Sequence, residues 1–181
     1  QEGRRIEYDV GNTRRMKEVS QNLIVRSGGD KAVYEQELFH GYAAIDGLNV
    51  NADLKEALNR ELEQEYTISW LNARTATDPA SVKLELAAGS YDEFLLPEQI
   101  AAINRGADIE IKAQAIEAEQ KAQEMRVAAR NALEVVEAEY ERGNHLPDKQ
   151  VAKVLADARA AGIPEADLIR TSTKLEDAKV L

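Results

Sequence analysis

Apolar residues recur at three and four along most of this chain, the spacing of one face of an α-helix. From Thr13, Met16, Val19 and Leu23 mark a first helix, which Gly28-Gly29 ends because glycine takes the left-handed conformation without a Cβ penalty. Asp30 caps a second helix with the stripe Val33, Tyr34, Leu38, Tyr42 and Ile45, closed by Gly47. Asn51 caps a third, where Leu54, Leu58, Leu62, Tyr66 and either Ile68 or Trp70 face inward to about Arg74. The short connections predict antiparallel packing of neighbouring helices. Asp78-Pro79 starts a fourth helix with Pro at N1; Val82 and Leu86 face inward and Gly89 stops it. Tyr91, Phe94 and Leu95 form a short apolar patch, either one helical turn or a docking corner.

The longest element opens at Leu96-Pro97 and covers about residues 97–142, without a further Pro until Pro147. At ~1.5 Å per residue it would extend roughly 70 Å, well beyond a compact body of ~40 Å for this length. Gly106 is the expected place for a kink. Asp108–Lys112 and Glu117–Lys121 are i,i+4 pairs in the favourable order. Ile100, Ile103, Ile109, Ile116, Met125, Ala129, Leu133, Val136 and Tyr140 mark a weak stripe, interrupted by Ala and Gln. A strong two-stranded coiled coil would repeat Leu every seven residues, and this stripe does not. Its Ala-rich face suits close packing against a neighbouring helix or another subunit; a solvated helix bridging two bodies is the alternative. Gly143-Asn144 ends it. Leu146-Pro147-Asp148 opens a helix with Val151, Val154, Leu155 and Ala158, and Ile163-Pro164-Glu165 opens a last one with Leu168, Ile169 and Leu175.

The expected fold is therefore all-α: a helical array with one long helix and short helical hairpins on either side. The expected organisation is an extended arm over residues 1–12, a helical cluster over 13–96, the long helix over 97–143 and a C-terminal hairpin over 144–181. The arm is read from Ile6, Tyr8 and Val10, which alternate between Gly3 and Gly11 with no second strand to pair with. The chain begins at Gln1 and its tail lacks a cap signal, which reads as a piece of a larger protein.

Composition narrows the function classes. The absence of Cys removes a disulfide framework, a thiolate zinc site and a Cys nucleophile. A net charge of -10 disfavours sequence-independent DNA binding. Few aromatics and little Gly or Pro disfavour β-sandwiches and barrels. No stretch approaches the ~18 apolar residues of a membrane span, and the opening residues lack the apolar core of a signal peptide.

Candidate chemistry is sparse. His40 and His145 have no second ligand at metal spacing: His40 reads as a partly buried polar residue and His145 as a solvated turn residue. Glu134, Glu137 and Glu141 follow helical spacing and read as a solvated face before a cation site. Trp70 with Tyr66 and Leu71 reads as a core anchor before a binding platform. Arg4, Arg5, Arg14 and Arg15, with Lys17, form a basic cluster that could touch nucleic acid or an acidic partner; without interleaved aromatics and in an acidic chain, a local partner contact is the favoured reading. No phosphate loop, nucleophile elbow or zinc motif is present. No catalytic, cofactor or metal residue is therefore assigned, and no cofactor is expected. The interaction candidates are Ile109, Ile116, Met125, Leu133, Val136 and Tyr140, together with the four arginines.

The stretch Thr77–Ile111, TDPASVKLELAAGSYDEFLLPEQIAAINRGADIEI, resembles a pattern of large tailed-phage internal virion or ejection proteins. These are often associated with a lytic transglycosylase domain elsewhere in the chain. The matching residues are Asp78, Pro79, Gly89, Tyr91, Asp92, Pro97 and Gln99, and the hairpin at 147–175 fits the same style of helical array. The transglycosylase Glu-Ser pattern is absent from this sequence, so the resemblance supplies no catalytic residue.

What the resemblance implies is a structural segment that assembles with copies of itself or other virion proteins during genome delivery. Its place would be inside the particle and then the host periplasm or envelope, near DNA without specific binding to it. Two other classes remain open: a soluble adaptor or assembly chaperone, and a non-catalytic part of a peptidoglycan-degrading enzyme.

Overall fold

The computed structural model describes residues 2–179, with side chains described from residue 13 to residue 178. Among the described residues the chain forms seven α-helices and no strand. They are α1 (Glu2–Arg26), α2 (Lys31–Asp46), α3 (Ala52–Thr77), α4 (Pro79–Ala87), α5 (Pro97–Glu141), α6 (Asp148–Ala160) and α7 (Glu165–Lys179). The all-α array with one long helix and shorter helices on either side is the expected one.

The boundaries follow local chemistry. Asp30 accepts from the amides of Ala32 and Val33 at 2.7 and 3.3 Å. Asn51 accepts from Leu54 at 2.8 Å, and Asp78 from Ser81 at 3.2 Å with Pro79 in the first turn. Each satisfies a helix N-terminal N–H that would otherwise lack a partner. At the end of α5, the Asn144 amide reaches back to the Glu139 carbonyl at 2.9 Å across Gly143, whose φ is +80°. That left-handed residue lets the chain reverse and satisfies a last-turn carbonyl.

The extended arm expected over residues 1–12 is replaced by helix, since α1 begins at Glu2. No Pro interrupts this stretch, and its two glycines, Gly3 and Gly11, cost a helix at most about 1 kcal/mol each. In α5 the helix runs without a break through Gly106.

The chain divides into two compact units, Gln1–Ala113 and Gln114–Leu181, so the division falls inside α5 and not at its ends. In the first unit α3 packs on both α1 and α2. Tyr34 meets Thr67 and Tyr42 meets Glu63, so α2 and α3 run in opposite directions. Lys17 meets Glu61 and Gln21 meets Glu65, so α1 and α3 run the same way. The core joins Ile24, Ile45, Leu62, Tyr66, Trp70 and Leu71 to Val82 and Leu86 of α4, Leu95 of the following turn and Ile103 of α5. Gly41 permits the α2–α3 approach: a Cβ there would lie 2.4 Å from Leu62 Cδ1.

The buried line of α1 differs from the expected one. Ser20 and Ile24 are buried, whereas Val19 and Leu23 are exposed. The inward line runs from Met16 through a serine, which is inside because it has a buried partner, Glu37. In α3, Leu54 is also exposed.

In the second unit the C-terminal part of α5 packs with α6 and α7. Leu133 joins Ala158, Ile163 and Leu168; Val136 and Tyr140 join Leu175, with Leu146 and Val151 alongside.

Candidate functional site

The six residues proposed as one interaction surface on α5 separate into two sets. Leu133, Val136 and Tyr140 are buried at 7%, 4% and 4% exposure within the second unit. They are core residues of their own chain and are withdrawn from the candidate surface. Ile109, Ile116 and Met125 remain at 68%, 60% and 57% exposure. Around Ile116 every residue from Ile111 to Lys121 is exposed. A 45-residue helix turns through all directions many times, so positions that share a loose stripe need not share a partner.

Charge along this stretch is balanced locally. Glu117 pairs with Lys121 at 2.6 Å, as the spacing predicts, and Arg126 reaches Glu119 at 2.6 Å. The expected Asp108–Lys112 pair is superseded: Asp108 binds Lys83 of α4 and ties α5 into the first unit.

The basic cluster is also reduced. Arg14 and Arg15 are exposed, while the side chains of Arg4 and Arg5 lie outside the described residues. Lys17 is committed to α3, with Nζ 2.8 Å from Glu61 and 2.9 Å from Glu65. Burial pulls its ammonium down, but the hydrogen bonds and charges of these two carboxylates outweigh that and hold it above its ordinary value. Arg14, Lys17, Glu61 and Glu65 line an open concavity of about 410 Å³ between α1 and α3. Basic and acidic side chains thus face one another around it.

Trp70 is a core anchor. Its ring stacks on Tyr34 at 4.6 Å and meets Tyr91 edge-on at 6.3 Å, and its Nε1–H donates to the Gly29 carbonyl at 2.7 Å. The Arg74 guanidinium lies 4.7 Å from the ring centroid and donates twice to Glu85. Tyr91 also donates to Glu85. Burial and the adjoining Glu85 carboxylate push the Tyr91 phenol up to about 12. These groups satisfy one another and join α3, α4 and the turn before α5.

His40 is exposed, where partial burial was expected, with Nδ1 3.6 Å from Glu37 Oε1. Glu37 is 7% exposed and accepts from the Ser20 hydroxyl at 2.5 Å. The hydrophobic pattern gives no sign of this buried carboxylate, because Glu at that position reads as solvent-facing. His145 is exposed and meets the Tyr140 ring edge-on at 5.3 Å.

Of the three glutamates at helical spacing, Glu137 accepts from Thr171 at 2.6 Å and from Lys174 at 2.8 Å. Those two donors, the Lys174 ammonium first, hold its carboxyl below the ordinary range. Among the described residues no group of three or more His, Asp or Glu side chains is arranged to hold a metal ion. No helix among them is long and apolar enough to cross a membrane.

The feature with unsatisfied capacity is thus a surface, the bare stretch of α5 with its exposed isoleucines. Exposed large apolar side chains on a helix mark partner contacts more often than chemistry. No protein-family model, curated protein or solved structure matches this chain.

Proposed function

We propose that this chain is a structural, helical segment of a phage internal virion, or ejection, protein. In this reading it assembles with copies of itself or with other virion proteins during genome delivery through the cell envelope. The observation that carries the assembly role is the middle of α5, where Ile109, Ile116 and Met125 stay exposed at 68%, 60% and 57%. The resemblance of Thr77–Ile111 to the ejection-protein pattern supplies the virion context.

General physics is compatible with delivery through a narrow tail. The chain has no Cys, so no disulfide opposes threading. Its apolar contacts are divided among three clusters, and a small core opens at lower free energy than a single large one. Catalysis forms no part of the reading; a lytic transglycosylase activity would belong to residues outside this sequence.

Mass spectrometry of purified particles tests it. The expected result is peptides spanning Gln1–Leu181 at constant stoichiometry in mature virions, and after infection in the envelope fraction. Absence from mature particles with presence in assembly intermediates would replace this reading by the assembly-chaperone one. Peptidoglycan cleavage by the isolated chain would replace it by the enzyme.

A further inference from the structure

We propose that α5 pairs with α5 of a second copy of this chain, parallel and in register. The seam is Ile109, Ala113, Ile116, Gln120, Gln123 and Val127. The inference rests on the assembly reading above and names its partner and geometry.

The six positions alternate by four and three, the spacing that keeps one line of a helix against a supercoiled partner. All six are exposed, and the large apolar ones strongly so: Ile109 at 68%, Ile116 at 60% and Val127 at 52%. The residues by which α5 enters the two cores, Ile103, Ala107, Leu133, Val136 and Tyr140, are not on this line. Gln120, Gln123, Glu124 and Val127 line a shallow concavity on the helix surface together with Ala128 and Asn131, which lie beside the seam. Four residues in this relation, two seam positions a heptad apart with the seam residue and flank between them, form the hole that receives a knob in a parallel pair.

Two features select a second copy as the occupant. Gln120 and Gln123 interrupt the apolar seam, and each amide needs a donor and an acceptor once water is excluded. An in-register copy places Gln120 opposite Gln120 and Gln123 opposite Gln123, so each amide both donates and accepts. An all-apolar partner would leave them unsatisfied.

Charge complementarity then sets the direction. In a parallel pair the residue preceding one seam position faces the residue five further along the partner. Lys112 thereby faces Glu117 and Arg105 faces Glu110, and symmetry makes each contact twice. Glu119 faces Glu124, a like pair that Arg126 offsets from 2.6 Å within the same chain. In an antiparallel pair the flank Glu110, Glu117 and Glu124 would meet itself, acid against acid.

Because the chain has no Cys, single-Cys variants of the full chain report the pairing without background. Under mild oxidation, Ile116→Cys and Gln123→Cys should each form same-residue disulfide dimers at least about tenfold faster than Ala118→Cys, which is exposed off the seam. Sedimentation velocity should show a concentration-dependent dimer. Lys112→Glu should weaken it roughly tenfold with unchanged helicity, and adding Glu117→Lys should restore it.

Equal rates at all three positions, faster cross-linking at Ala118→Cys, or cross-linking of Ile109→Cys to Val127→Cys in place of each to itself would overturn the proposal. So would a monomer at every concentration. Detection of the chain in virions does not depend on these outcomes, so a failed pairing and a failed virion role are distinguishable.

Discussion

Arg74 and Glu85 form a two-pronged ion pair, with Nη1 and Nη2 2.7 and 2.6 Å from the two carboxylate oxygens, and thereby clamp α4 onto α3. The same guanidinium covers the Trp70 ring, so one side chain serves an ion pair and a cation–π contact. Lysine keeps the charge but has neither the planar fork nor the stacking surface. Arg74→Lys is expected to cost about 1–2 kcal/mol and Arg74→Ala about 2–3 kcal/mol in urea unfolding. A lysine variant as stable as wild type would show that the fork contributes nothing beyond charge.

Acid should weaken this clamp. Hydrogen bonding to Arg74, with help from Tyr91, holds the Glu85 carboxyl below its ordinary value of 4.5. A carboxyl depressed in the folded state contributes stability that is complete above the unfolded value and is lost as pH falls through the folded one. Glu137, lowered by Lys174 and Thr171, adds the same dependence in the second unit. Thermal midpoints of wild type and Glu85→Gln measured from neutral pH downward should differ most at neutral pH. The gap should narrow once pH drops below 4.5. A gap independent of pH would mean that ionisation of Glu85 is not what matters.

Two adjacent glycines should respond differently to alanine. Gly28 and Gly29 both have positive φ, +69° and +83°, so either substitution strains the backbone by about 1–2 kcal/mol. A Cβ at Gly28 meets nothing within 4 Å, whereas one at Gly29 would lie 2.4 Å from Arg74 Cγ and 2.9 Å from the Arg74 backbone nitrogen. Gly29→Ala should therefore be the more damaging by at least about 1 kcal/mol. It should also disturb the near-ultraviolet signal of Trp70, whose indole donates to the Gly29 carbonyl. Equal costs would argue against this close approach of the α1–α2 connection to α3.

The two halves of the α5 stripe should separate under mutation. Leu133→Ala empties a position that is 7% exposed and should cost about 2–4 kcal/mol in the second unit. Ile116→Ala removes a side chain that is 60% exposed and should leave the dilute monomer within about 0.5 kcal/mol of wild type. Urea unfolding at low protein concentration makes the comparison. A large loss at Ile116 under those conditions would reveal packing within the chain.

Helix boundaries were legible in the sequence because short-range interactions make them. Asp30, Asn51 and Asp78 cap within three residues, Pro79 and Pro97 sit in first turns, and Gly143 turns the chain at its own φ. The core of α3 was legible for a related reason, since Leu58, Leu62 and Tyr66 at steps of four can only line one face. Where the reading failed, the cue was weak or non-local. Alternation at Ile6, Tyr8 and Val10 suggested an arm, but nothing in residues 2–12 stops a helix. Met16, Val19 and Leu23 suggested one face of α1, while the buried line passes through Ser20 because Glu37 waits on α2 with an acceptor.

By itself the sequence determined an all-α chain, the positions of its caps and a long helix beginning at Pro97. Only the tertiary structure decided which parts of that helix are covered. Leu133, Val136 and Tyr140 are sealed by α6 and α7, and Ile109, Ile116 and Met125 are left bare. The physical reason is that helix formation and capping depend on residues a few positions apart, whereas burial depends on what a distant segment brings. A long helix offers every face in turn, and its periodicity cannot say where α6 and α7 will dock.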